Sequence, residues 1–283
     1  MSSWSPARSS LLRHCPRQYL LRHVLHAVPA QPDSVSKLRG RVIHAGLAAA
    51  FAERATGEPG DRHRPMMARH YAAAEHAMHE HSDTPMLSSV EQAGAIAQAF
   101  EVLRTIAPPH PTAILAVELE FSLEVDGESI NAVTDLVLRT GSTSLHVREW
   151  KTGTVSWEPV ADDALPLYGL MALQRWPWAQ KVTVGLYSTR INREQVQTLT
   201  PVHIQRLRDR LTRDARWDRQ ARPGLSVGTV DALYPTDVGS HCGGCPFRSY
   251  CPQFRSVTNL PVRPGVDVVA ERHRLAAALE RHA

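Results

Sequence analysis

Three of the four cysteines stand as C-x2-C-x5-C in "HCGGCPFRSYC", at Cys242, Cys245 and Cys251, and the fourth, Cys15, lies nearly the whole chain away in "LLRHCPRQYLL". Any fold in which the four act together must bring the first helix against the C-terminal segment. Closing so long a loop costs about 5 kcal/mol of length-dependent entropy, which ligation has to offset. In a reducing compartment such a set serves a metal more readily than two disulfides. Spacing alone favours tetrahedral zinc over an iron–sulfur cluster.

The compartment is read from the same sequence. Its small apolar run, "HAGLAAAFAER", falls short of the roughly 20 residues a membrane helix needs, and Arg8, Arg13, His14 and Arg17 interrupt the N-terminus. A cytoplasmic chain with no membrane span is expected. With 43% hydrophobic and 21% charged residues, the 283-residue chain can bury one large core or two small ones. A net charge of +4 suits a polyanionic partner without requiring one.

The order of elements is helices, then strands, then helices. Apolar spacing predicts helices over 5–26, 37–55, 66–81 and 88–106. From Ala113 the period changes to two: "ILAVELEFSLEV" places Val117, Leu119, Phe121, Leu123 and Val125 on one face and Glu118, Glu120, Ser122 and Glu124 on the other. Turns in "VDGES" and "RTGSTS" connect this strand to "INAVTDLVLR" and "LHVREWK" as an antiparallel meander. A helix at about 163–175, strands in "KVTVGLYST" and "EQVQTLT", a basic amphipathic helix after Pro201 and a terminal helix over 266–282 follow. In that basic helix Asp209, Asp214 and Asp218 lie among the arginines, which fits either phosphate contacts or a mixed-charge solvated face.

Chemistry concentrates on the second and third strands. Glu149 and Lys151, two apart, emerge on one strand face above Leu145 and Val147, and a short hairpin brings Asp135 beside them. Two converging carboxylates favour Mg2+ or Mn2+, which can activate water and stabilise a phosphorane-like transition state, with the lysine orienting that water. An isolated E-x-K is more commonly a cross-strand salt bridge. His44 shares an i, i+4 row with Gly40 and Ala48, small neighbours that let its helix approach a sheet closely. His76, His79 and His81 lie at an Ala-rich polar helix end and read as solvated.

The motifs in order, "SSLLRHCPRQYLL", "GRVIHAGL", "VELEF", "TDLVLR", "REWKTG", a helix carrying Tyr168, and the late cysteines, resemble the PD-(D/E)XK nucleases. The likeness is to their RecB-like iron–sulfur group, which includes the AddB nuclease domain, exonuclease V and nucleases of CRISPR adaptation. Ala132 stands where that pattern usually has Gly, and Ala164 where it has Gln. Glu118 matches a recurring family glutamate, although strand alternation equally permits an exposed carboxylate there.

The resemblance implies an α/β fold with a restriction-endonuclease-like core: a mixed central sheet flanked by helices, its N- and C-terminal segments joined at the four-cysteine cluster. It implies one nuclease domain over 1–265, with a helical insertion at about 56–110, an iron–sulfur segment at 241–252 and a helical tail over 266–283. Metal ligation falls to His44, Asp135 and Glu149 with Lys151 assisting, and a [4Fe-4S] cluster to Cys15, Cys242, Cys245 and Cys251. The expected activity is metal-dependent DNA cleavage, as an exonuclease, in repair, recombination or CRISPR adaptation, alongside a nuclease, helicase or adaptation partner. The alternative from another class is a non-catalytic nucleic-acid-binding or assembly subunit stapled by zinc or iron–sulfur.

Overall fold

A computed structural model describes residues 4–27, 35–57, 87–125, 127–153, 164–239, 241–242 and 245–247, with Cys251, Gln253 and Ala277. The helix expected at 66–81 and its histidines, most of the 266–282 helix and much of the 56–110 insertion lie outside these residues. Contacts group the chain into two compact units. One comprises Met1–Gln31, Glu124–Ile130 and Arg208–Ala283, and the other Pro32–Leu123 and Asn131–Leu207.

The second unit is built on the sheet. Its elements are α3 (Val35–Ala55), α4 (Ser89–Thr105), β1 (Ile114–Val125), β2 (Glu128–Arg139), β3 (Ser144–Lys151), α5 (Ala164–Arg175), β4 (Lys181–Ser188) and β5 (Arg193–Thr198). The strands lie side by side in chain order. β2 pairs antiparallel with β3, β3 parallel with β4, and β4 antiparallel with β5, so the sheet is mixed and α5 is the crossover between the parallel pair.

Strand alternation divides the apolar residues into two layers. Leu136, Leu138, Trp150 and Tyr187 pack with Val42, Ile43, Leu47 and Phe51 of α3 and Ala95, Ala99 and Val102 of α4. Val137, Leu145, Val147, Val182, Val184 and Leu186 pack with Leu165 and Ala172 of α5. The fold is therefore α/β, with helices against both faces of the sheet, and each fully buried Leu, Val or Phe contributes about 1.5–3 kcal/mol. A capping box starts α4: Ser88 Oγ accepts the Glu91 N–H at 3.4 Å, and the Ser88 N–H donates to Glu91 Oε2 at 2.8 Å.

β1 departs from the strict alternation expected of it. Val117 packs with the α3/α4 layer, whereas Phe121 meets Trp176, which packs with the α5 layer. Residues four apart on an unbroken strand would share a face. Glu118, at φ 47°, is the left-handed residue that shifts the phase, as a bulge does.

The first unit begins with α1 (Pro6–His14) and α2 (Pro16–Tyr19), which passes into a wide turn over Leu20–Val24. The single helix expected over 5–26 is thus broken at Cys15. Pro16 pushes the preceding residue out of helical geometry, and Cys15 is extended at φ −158°, ψ 98°. The unit also contains α6 from Arg208 onward (the helix is Pro201–Ala221) and α7 (Val230–Leu233). Trp4 pairs with Ile130, and Tyr19 stacks on Tyr234 with ring centroids 6.4 Å apart. Asp214 and Asp218 of α6 are buried, not on a solvated face. Ser9 Oγ donates to Asp214, while Asp218 accepts Tyr234 Oη–H at 2.9 Å and Arg222 Nε–H at 2.8 Å. Their partners lie far away in sequence or beyond the helix end, where helical periodicity carries no signal.

Candidate metal centre

His44 reaches the sheet because Gly40, one turn earlier on α3, touches the chain beyond β3: a Cβ at Gly40 would stand 2.9 Å from Thr152 Oγ1. His44 Nδ1 lies 3.1 Å from Asp135 Oδ1. Asp135 is buried, and its other oxygen accepts the backbone N–H of Trp150 at 2.6 Å. The β2–β3 register runs from Arg139↔Leu145 to Leu136↔Arg148, so the carboxylate takes a β3 amide just past the last of these pairs. That bond fixes the orientation of Asp135. Glu149 follows on β3, with its Oε1 3.1 Å from Lys151 Nζ, on the face that Leu145 and Val147 bury.

Glu118 completes the group. Its left-handed backbone turns the side chain toward Asp135, and ligand atoms of His44, Glu118 and Asp135 all lie within 4.8 Å of one another. Part of Glu118 reaches solvent, but its carboxyl is pushed up to about 7 by burial and then by the charge of Asp135, against the pull of His44. Glu149 is likewise raised to about 7 by burial and the Asp135 charge, partly offset by Lys151 and His44. Burial disfavours the His44 cation, but the hydrogen bond to Asp135 and the charges of Asp135, Glu149 and Glu118 outweigh it and raise its pKa. Were all three carboxylates ionised, their charge would exceed what one histidine and one lysine neutralise, so a bound cation favours the ionised forms of Glu118 and Glu149. Oxygen donors with one imidazole in this arrangement fit a hard divalent cation such as Mg2+ or Mn2+.

Sequence reasoning places His44, Asp135, Glu149 and Lys151 in a site. The structure sets His44 against Asp135 and Lys151 against Glu149, while the ligand atoms that lie within 4.8 Å of one another come from His44, Asp135 and Glu118 and do not include Glu149. Sequence reasoning leaves Glu118 out of the site, although the residue matches a recurring glutamate of the resembled family, because even alternation assigns it to the face of Glu120 and Ser122 and equally permits an exposed carboxylate there. Ala132 lies on β2 and Ala164 at the start of α5. Tyr168 packs against the α5-side core.

The four cysteines meet in the first unit, where Cys15, Cys242, Cys245 and Cys251 line one pocket with Arg17, Gln18 and Phe247. The break at Pro16 leaves Cys15 at the end of α1. Arg17 N–H donates to the Pro235 carbonyl at 3.1 Å and Arg17 Nε–H to the Tyr234 carbonyl at 2.9 Å, joining the segment after α1 to the one that leads into the late cysteines. The Cys245 thiol is raised by burial and by the charges of Cys15, Cys242 and Cys251, against the backbone N–H of Phe247. Four thiols around one pocket are a donor set that fits a cationic iron or zinc centre, which binds them as thiolates.

A model of the PD-(D/E)XK nuclease superfamily matches residues 3–252. No curated protein matches the sequence. Among solved structures, a protein from Eubacterium rectale named as a proposed exonuclease aligns with a TM-score of 0.44 at 8% identity, covering 95% of this chain and 92% of its own. SSO0001 aligns with a TM-score of 0.35 at 14% identity, covering 86% and 97%. No described helix is long and apolar enough to cross a membrane.

Proposed function

Because the chain belongs to the PD-(D/E)XK nuclease superfamily, we propose that it is a DNA nuclease, acting as an exonuclease, whose centre is His44, Glu118, Asp135, Glu149 and Lys151. The observation that carries this reading is the convergence of His44, Glu118 and Asp135 ligand atoms within 4.8 Å, beside the Glu149–Lys151 pair. His44, Asp135 and Glu149, joined by Glu118, are the residues that would hold Mg2+ or Mn2+. When bound, such an ion lowers the pKa of its water and offsets charge on the phosphodiester oxygens. Asp135 is held in place by the Trp150 amide, so its second oxygen faces the site without reorganising. Lys151, tethered to Glu149, positions a cation where it can orient the attacking water and offset developing charge. Hydrolysis then breaks the bond between phosphorus and the leaving oxygen, and water supplies the new oxygen and a proton for the leaving group.

The same reading assigns a [4Fe-4S] cluster to Cys15, Cys242, Cys245 and Cys251, with zinc as the competing occupant. It places the chain in the cytoplasm, as one domain, with a nuclease, helicase or CRISPR-adaptation partner in DNA repair, recombination or adaptation. Its support is the motif order together with the four-thiol pocket. The test is incubation of the purified protein with end-labelled single- and double-stranded DNA, with and without Mn2+. Metal-dependent shortening of labelled strands is expected, and binding without cleavage in the presence of Mn2+ would leave a non-catalytic subunit.

A further inference from the structure

Beyond Lys151 the chain passes Thr152 and Gly153 beside a polar pocket used by neither the ligand group nor the Glu149–Lys151 pair. Ser36, Arg39, Gln98, Thr152, Gly153 and Arg190 line it. Its two cations come from different segments, Arg39 from α3 and Arg190 from the chain just after β4. Gln98 of α4 organises the wall between them: its Oε1 accepts from Arg39 Nη2 at 2.9 Å, and its Nε2 donates to Thr189 Oγ1 at 2.7 Å. The Thr189 backbone N–H donates to the Lys151 carbonyl at 2.9 Å, which ties the pocket to the end of the lysine strand.

This charge is available for a ligand. Arg39 has five N–H donors, and the bond to Gln98 occupies one of them. Arg190 is exposed and makes no hydrogen bond or ion pair among the described residues. No carboxylate lines the pocket among those residues. The acid whose charge Arg39 meets, Glu91, is engaged with Ser88. Two guanidinium groups with hydroxyls and no acid are the chemistry that binds phosphate.

Position then specifies which phosphate. Arg39 adjoins Gly40, the point of contact with Thr152, and four residues further along α3, about 6 Å at 1.5 Å per residue, stands His44. Thr152 directly follows Lys151. The pocket therefore adjoins the metal group through two elements, α3, which carries Arg39 and His44, and the end of β3, where Thr152 follows Lys151. We propose that Arg39 and Arg190 hold the phosphate of the nucleic-acid strand neighbouring the one that is cut, and so set the strand's register at the metal group. The inference rests on the nuclease reading of that group. The occupant is either an internal diester or the monoester of a strand end.

The test is fluorescence anisotropy with the full chain, without divalent metal, on one single-stranded oligonucleotide carrying a 5′-phosphate, a 3′-phosphate or neither. Arg190→Gln should bind about tenfold more weakly, as loss of a charged hydrogen bond does, and the salt slope of its affinity should flatten by about 0.7. Arg39→Gln should behave alike, with Arg39→Lys restoring the slope but not the full affinity. Arg104→Gln, exposed on α4 and paired with Glu101, should change neither. If a terminal phosphate is the occupant, the wild type prefers one phosphorylated strand and Arg190→Gln erases that preference. If an internal diester is, the wild type binds all three alike and Arg190→Gln weakens all three. Wild-type affinity and slope in Arg190→Gln on every strand would overturn the proposal, and because this side chain is exposed the variant keeps the fold. A wild type that binds but never cuts overturns the nuclease reading instead, with the phosphate site judged by the binding data alone.

Discussion

His44 Nδ1 lies 3.1 Å from one oxygen of Asp135, while the other oxygen of Asp135 accepts the Trp150 amide at 2.6 Å. One carboxylate thus faces the site and also satisfies a buried backbone donor, and the two roles separate by mutation. Asp135→Asn keeps an oxygen for Trp150 and loses the charge. Its metal-free melting temperature should stay near wild type, while stabilisation by Mn2+, which grows as RT ln(1 + [Mn2+]/Kd), and cleavage should both be lost. Asp135→Ala orphans the amide and should cost about 1–3 kcal/mol of stability besides. Asp135→Asn protein cleaving at the wild-type rate in limiting Mg2+ would exclude the site.

Cys15 tests the distant staple. Anaerobically purified protein should be brown and bleach with reductant, because thiolate-bound iron absorbs visible light whereas zinc does not. Cys15→Ser should lose the colour and melt at a lower temperature, since its sulfur reaches the late cysteines from the far end of the chain. Colourless protein with stoichiometric zinc would replace the cluster assignment, and full iron occupancy in Cys15→Ser would move the fourth ligand elsewhere.

Much of this centre is legible before folding because strands repeat every two residues. Glu149 and Lys151 must emerge together above Leu145 and Val147, and the short turn after β2 returns Asp135 to their side. The α/β layering was legible for the same reason, with Leu136 and Leu138 facing one layer and Val137 the other. Glu118 was legible only as a match to a recurring family glutamate, because a left-handed residue inside an otherwise regular strand leaves no mark in hydrophobic pattern. Asp214 and Asp218 were not, because a buried acid is recognised by partners such as Ser9 and Tyr234 that only tertiary structure supplies. Pro16 does announce the break at Cys15, but the apolar spacing of the flanking segments conceals it.

Acid stability should report a second buried charge group. Glu194 of β5 accepts from His146 at 2.8 Å and from Arg148 at 2.8 and 2.7 Å, and Arg148 lies over the Trp150 and Tyr187 rings. Burial raises the Glu194 pKa, but the His146 and Arg148 hydrogen bonds outweigh it and hold the group at about 2, against an ordinary 4.5. A carboxylate with a depressed folded pKa stabilises above its unfolded pKa and loses that contribution as pH falls through the folded value. The contribution, about 3 kcal/mol at most, should therefore be whole near pH 7 and disappear between about pH 4.5 and 2. Urea unfolding of wild type against Glu194→Gln should show a difference that shrinks through this window; a constant difference would remove the linkage.

Glu118 offers a test in which metal-free stability and function separate. At φ 47° an L side chain carries about 1–2 kcal/mol of backbone strain, which glycine does not, although glycine costs about 0.5–1 kcal/mol in chain entropy. The carboxylate is also pressed against Asp135, whose charge helps hold it at about 7. Glu118→Gly removes both burdens, so without metal it should be as stable as wild type or slightly more so. If the strain is sustained in order to supply a ligand, the same variant should lose most of its Mn2+-dependent rise in melting temperature and most of its cleavage. Glu118→Gln, which keeps the strain and removes the charge, should lose the metal response without gaining from the backbone. Glu120→Gln, exposed on the same strand, should leave both unchanged. A full Mn2+ response in Glu118→Gly would show that the left-handed turn serves the sheet alone, leaving His44, Asp135 and Glu149 to hold the ion.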